Sequence, residues 1–102
     1  MNCSILPTAE LEAADAAIWY DDRRQGLGDE FLAEFRRALD RISSAPEGFS
    51  RLEGYAGEHD VRRCLLQRFP YLVVFMCRPE VIVVAAVSHV RRRPFYWLER
   101  LN

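Results

Sequence analysis

Lysine is absent: all 14 basic residues of this 102-residue chain are arginines. That excludes lysine chemistry, whether Schiff-base, general-base or phosphate-clamping. Cationic work is left to planar, forked guanidinium groups, which hold their proton. Cysteine is scarce. Cys3, Cys64 and Cys77 are odd in number and no two have C-x-x-C spacing, so neither a disulfide framework nor a zinc site is expected. Reduced thiols in or near strands are the simpler expectation. No apolar run approaches the roughly 18 residues of a bilayer span. No basic residue precedes an apolar core in "MNCSILPTAE", which argues against a secretory signal. A cytoplasmic protein is expected, with a single domain over 1–102.

What the chain does have is apolar and aromatic surface. Half of its residues are hydrophobic and 12% are aromatic, enough to build a core and to exclude disorder. The net charge of −1 hides a split. Residues 1–50 carry ten acids against five arginines, a balance of −5; residues 51–102 carry nine arginines against five acids, a balance of +4. The second half is the one suited to an anionic partner.

Residues 3–6 read as a brief first strand ended by Pro7. Thr8 is the expected N-cap of a helix over about 9–24, with Glu10 and Glu12 favoured in its first turns. Leu11, Ala14 and Ile18 supply its expected apolar face, with Trp19 and Tyr20 sealing the end of the core. In "QGLG", Gly26 and Gly28 are suited to positive φ and a tight helix–helix turn. A second helix follows over roughly 29–44, opened by Asp29 and Glu30. Phe31, Leu32, Phe35, Leu39 and Ile42 form its stripe. Glu30, Glu34, Arg37 and Arg41 fall on another face, and the helical acids, Asp40 included, read as solvated. Residues 46–59 are glycine-rich and polar, hence a loop.

Three β-rich runs follow: Val61 to Phe69, Tyr71 to Cys77 and Val81 to Val90. Their short connections make an antiparallel meander, and "VIVVAAVSHV" is apolar enough to be a central strand covered on both faces. Strict alternation places Val81, Val83, Ala85, Val87 and His89 on one face. Pro94 can open a short terminal helix packed by Tyr96, Trp97, Leu98 and Leu101. The fold class is α+β in the order β-α-α-β-β-β, a helical hairpin on one face of a small, mostly antiparallel sheet. The terminal helix is too small to cover the second face, so an apolar face awaiting a partner is expected.

"SHVRRRPFYW", at 88–97, ends the most apolar strand in charge and ring surface. His89 has the only side chain in the stretch whose unperturbed pKa lies near neutrality. Its plain role is a structural histidine at a strand end. Arg91, Arg92 and Arg93 with Phe95, Tyr96 and Trp97 are residue types enriched at binding hot spots. Arg62 and Arg63 point to opposite faces of their strand, one toward solvent or an ion pair and one toward the binding side.

Three pieces, taken in order, carry a family resemblance. They are "AIWYDDRRQGLGDEFLAEFRRALDRI", "VRRCLLQRFPYLVVF" and "VIVVAAVSHVRRRPFYW", which together span nearly the whole chain. They resemble the RelE/ParE toxins of bacterial toxin–antitoxin systems, the plasmid stabilisation proteins. The resemblance implies a small α/β toxin held inactive by a cognate antitoxin that wraps over it and is often acidic in part. Members divide by mechanism. RelE-like toxins enter the ribosome and cut mRNA by metal-independent attack of a 2′-hydroxyl. ParE-like toxins bind DNA gyrase and hydrolyse nothing. On the RelE-like reading the catalytic candidates are His89, Arg62, Arg91 and Tyr96; the chain departs from that pattern in lacking lysine and in the register of Tyr96. On the ParE-like reading, which "HVRRRPFYW" resembles more, Arg62, Arg63, His89, Arg91–Arg93, Phe95, Tyr96 and Trp97 form a docking surface for gyrase or antitoxin. An inactive relative is the third reading. No cofactor, metal or membrane is implied on any of these, and no helix carries the pattern of a sequence-specific DNA reader.

Overall fold

The computed structural model describes residues 2–101. The elements are β1 (Cys3–Ile5), α1 (Pro7–Arg23), α2 (Leu27–Ser44), a 3₁₀ turn (Pro46–Gly48), β2 (Asp60–Leu65), β3 (Tyr71–Cys77), β4 (Ile82–His89) and a closing 3₁₀ turn (Leu98–Leu101). The order is the expected β-α-α-β-β-β. In the sheet it becomes β1-β4-β3-β2, with β1 parallel to β4 and the other pairs antiparallel. The first strand thus joins β4, which makes β4 central, as its apolar run predicts.

The helical hairpin differs from expectation in its details. Leu6, not Thr8, occupies the N-cap of α1, and Pro7 starts the helix. Proline suits that position because its missing N–H would be unpaired there anyway. Gly26 takes φ +90° at the turn. Gly28 does not need positive φ; it lies inside α2, where an added Cβ would stand 2.4 Å from the Ala17 carbonyl oxygen. Its role is close helix approach. Helix α2 starts at Leu27, two residues before Asp29, because Asp21 of α1 caps it. The Asp21 Oδ1 accepts from the backbone N–H of Gly26 (2.9 Å) and Gly28 (3.2 Å).

Helix α2 buries Phe31, Phe35, Ala38 and Ile42 much as its stripe predicts. Glu34 corrects the expectation of a solvated acid: it is buried and takes a hydrogen bond from Arg37 at 2.6 Å. Helix α1 is turned the other way from its expected face. Its buried residues are Ala9, Ala13, Ala16 and Ala17, while Leu11, Ile18 and Trp19 are exposed. Alanines let the helix lie close on the sheet, and the large side chains then have no room beneath it. Tyr20 does reach the core, stacking on Phe31 and meeting Phe69 edge-on.

The second sheet face is not left open. Val61, Val74, Met76, Ala85 and Ala86 are buried there under Trp97 and Leu101, with Leu52, Tyr55 and Phe95 packed around them. An irregular tail and the loop before β2 together do what the short terminal helix was too small to do. Residues 94–97 form a turn, and only 98–101 is helical.

One irregularity matters most. Val74 pairs with Ala86, but the next residue, Phe75, pairs with Val84, so Ala85 is an extra residue in β4. A bulge of this kind reverses which face the following side chains occupy. Val87 therefore joins the helix-side core with Ile82 and Val84, whereas Val83 and Ala85 pack on the tail side. The expected single face of Val81, Val83, Ala85, Val87 and His89 is split in two. His89 is carried to the helix side.

Candidate functional site

Strand β1 is short. Its last link to β4 is the Leu6 N–H to the Val84 carbonyl, at 3.0 Å. Among the described residues, no strand lies beside the outer edge of β4 beyond Val84. A buried, unpaired backbone edge is costly, and Glu12 of α1 and Arg100 of the tail satisfy it. The Val87 N–H donates to Glu12 Oε1 (3.0 Å), and Arg100 Nη1 donates to both the Ala85 carbonyl (3.0 Å) and Glu12 Oε1 (2.9 Å). The Tyr96 hydroxyl donates to Glu12 Oε2 at 2.5 Å, and Arg92 Nη1 stands 3.5 Å from the same oxygen. One carboxylate thus ties helix, strand edge and tail together. Its hydrogen bond with Arg100 holds the guanidinium even more firmly protonated than usual. Burial, reinforced by the bond to Glu12, pushes the Tyr96 phenol above its ordinary pKa.

Next to this knot lies an open cleft of about 500 Å³ between the C-terminal half of α1 and the end of β4. Asp15, Trp19, Tyr71, His89 and Arg92 are among its lining residues. Tyr71 is paired with His89 across the strands, and the rings meet edge-on at 5.2 Å. The His89 Nδ1 accepts the Arg91 N–H at 3.1 Å, which leaves Nε2 to carry the proton of the neutral ring. Arg92 lies over the Tyr96 ring, 3.6 Å from its centroid. Arg91 and Arg93 are exposed on either side.

So His89, Arg91, Arg92 and Tyr96 are brought together. Arg62 is not. It pairs with Phe75 in the sheet, whereas His89 pairs with Tyr71. That offset of four residues along β3 and two strand spacings across amounts to about 13 Å by about 10 Å. Arg62 grips Asp60 with two nitrogens (3.0 and 3.3 Å) and donates to the carbonyls of Glu47 (3.2 Å) and Phe49 (2.8 Å). Its side chain is only 12% exposed, and the Asp60 bond raises its pKa. Arg62 organises the loop before β2. Arg63, on the other face, is exposed. Trp97 is 3% exposed and Phe95 meets it at 5.8 Å, so these rings pack the second core. Among the described residues, no group of three or more His, Cys, Asp or Glu is arranged to hold a metal.

Glu12, Arg100, Tyr71 and the exposed Trp19 are the parts of this site that residue patterns did not mark. For Glu12 a signal existed: it borders the Ala9, Ala13, Ala16 stripe, and an acid on the margin of a buried stripe needs a partner. Arg100 carried no comparable mark.

No protein-family model and no curated protein matches the chain. Among solved structures, a chain of the chromosomal ParDE TA system from P. aeruginosa matches with a TM-score of 0.65. The match covers 87% of this chain and 95% of that one at 15% identity. At that identity the likeness is one of fold, and the fold is RelE/ParE-like.

Proposed function

We propose that this chain is the toxin of a type II toxin–antitoxin pair, that it acts in the ParE-like way by docking on DNA gyrase, and that a cognate antitoxin encoded beside it neutralises it. The supporting likeness is to a ParDE TA chain. The observation that favours docking over RNA cleavage is that two of the four cleavage candidates are already engaged elsewhere, one of them far from the other three. Arg62 is committed to Asp60 and two loop carbonyls, and the Tyr96 hydroxyl is committed to Glu12. RNA cleavage needs a base, an acid and cations converging on one phosphate. The cytoplasm, where gyrase and antitoxin reside, is the matching location.

The RelE-like reading keeps one specific support: His89, Arg92 and Tyr71 share a cleft. The purified protein, added to a gyrase supercoiling assay and to a translating extract read by primer extension, separates the two. Blocked supercoiling without cleavage of ribosome-bound mRNA is expected. Cleavage that disappears in His89→Ala would overturn the docking reading in favour of the ribonuclease. Inertness in both assays, with growth unaffected on expression, would mark an inactive relative.

A further inference from the structure

Helix α1 wears its large side chains outward. Leu11, Ile18 and Trp19 are 61%, 61% and 50% exposed, while the side facing the sheet is alanine. At about 100° per residue, Leu11 and Ile18 fall within about 20° of each other, two turns apart. Asp15 and Asp22 lie on the same face, both exposed. Trp19 flanks the stripe on the side of the cleft, which it also lines. Within α1 itself no basic residue falls on this face, and Arg92 of the tail lines the adjoining cleft. The helix's arginine, Arg23, lies over the Trp19 ring at 3.4 Å and donates to the Trp19 carbonyl.

Three large apolar side chains aligned on one helix, bordered by a cleft, mark an interaction surface more than a solvated one. Its charge selects the occupant. A second copy meeting it face to face would set Asp15 and Asp22 against their own counterparts, which is repulsive. An acidic amphipathic segment would meet the same repulsion. That kind of segment suits the arginine-rich rim at 91–93, and one acidic helix cannot suit both surfaces. We infer that the outer face of α1 docks a basic amphipathic helix of the antitoxin. Its apolar residues, about seven apart, would meet Leu11 and Ile18, and its arginines or lysines would meet Asp15 and Asp22. This rests on the toxin–antitoxin reading for the identity of the partner, and it divides that partner into a basic helix for α1 and a separate segment for the rim.

The test uses the full chain and the co-expressed product of the adjacent small gene, with affinity measured at low and high salt. Asp15→Arg/Asp22→Arg and Leu11→Ser/Ile18→Ser alter only exposed positions, so both should melt like the parent chain. Each is expected to weaken the complex at least tenfold. The charge-reversed variant should also lose most of the salt dependence. Trp19 emission should shift to the blue on binding, since the other tryptophan, Trp97, is already buried. Parental affinity in both variants, or no partner bound by the parent chain, overturns the assignment. Growth arrest relieved by the small gene reports on the toxin–antitoxin reading separately. If relief persists while the variants bind normally, the surface is wrong and the reading stands.

Discussion

Glu12 and Arg100 lie 88 residues apart in sequence and meet at 2.9 Å on the open edge of β4, each also bonded to that strand's backbone. The pair does the work of the strand that β1 is too short to supply. Removing either partner therefore exposes more than an ion pair. Glu12→Ala would leave the Val87 N–H and the Tyr96 hydroxyl without the acceptor they share, and the Arg100 guanidinium with only the Ala85 carbonyl. With side chains 14% and 21% exposed, the pair is well above the worth of a surface bridge. A loss of about 2–3 kcal/mol is expected, as for a charged hydrogen-bonded group left unpaired. At about 4–8 °C per kcal/mol for a domain of this size, melting should fall clearly. Glu12→Gln should retain part of the stability. A Glu12→Ala midpoint equal to the parent's in urea would contradict the bridging role.

The tyrosines give the protein an alkaline limit. Burial raises the phenol pKa of Tyr20 and Tyr71, and burial together with the Glu12 bond raises that of Tyr96. A raised folded-state pKa means that the folded chain keeps a proton that the unfolded chain has lost. The contribution is fully present below the unfolded value, near 10, and is lost as pH rises through the folded values. Stability should therefore decline above about pH 10. Absorbance titration should show these phenols ionising later in the native protein than in urea. Tyr96→Phe should flatten the alkaline decline; an unaltered slope would remove Tyr96 from the account.

Glycine at 28 is there for space. Alanine is the better helix former by about 1 kcal/mol, so by propensity alone Gly28→Ala should stabilise α2. The Ala17 carbonyl oxygen, 2.4 Å from where that methyl would sit, forbids it. The helices must part, and overpacking typically costs about 1–3 kcal/mol. A lowered denaturation midpoint is expected. A raised one would show that the hairpin can spread without strain.

How far the fold was readable follows from where large side chains sit. Helix α2 was legible because Phe31, Phe35 and Ile42 put bulk on one face, and bulk there means core. Helix α1 was misread for the same reason: Leu11 and Ile18 looked like core, yet the alanines were the buried set. Pattern reading weighs size, whereas close helix–sheet contact selects smallness. The bulge at Ala85 left no trace because "VIVVAAV", at 81–87, is apolar throughout, so no alternation exists there to show a break. The cover of the second face comes from an irregular tail and a loop, neither of which has a period. The rim at 88–97 was legible as a cluster, since adjacency in sequence kept it together. The separation of Arg62 from it follows from the register of β2 and β3, which residue patterns do not mark.

That separation makes the arginines distinguishable by experiment. Arg91 and Arg93 are exposed, and surface positions of this kind usually change stability by less than about 0.5 kcal/mol. Arg62 holds Asp60 and the carbonyls of Glu47 and Phe49, so Arg62→Ala should cost about 1–3 kcal/mol. If the rim acts by docking, Arg91→Glu/Arg93→Glu should leave melting unchanged and raise the concentration needed to inhibit supercoiling at least about tenfold, or 1.4 kcal/mol. The loss should lie mainly in association rate and shrink at high salt, because rim charges steer encounter more than they hold the complex. Arg62→Ala should show the reverse, lowered stability with inhibition retained below its melting temperature. Equal inhibition by the parent and the rim variant would remove the arginine tail from the docking surface. Selective loss in Arg62→Ala, at full stability, would give that residue a direct role that its present hydrogen bonds do not explain.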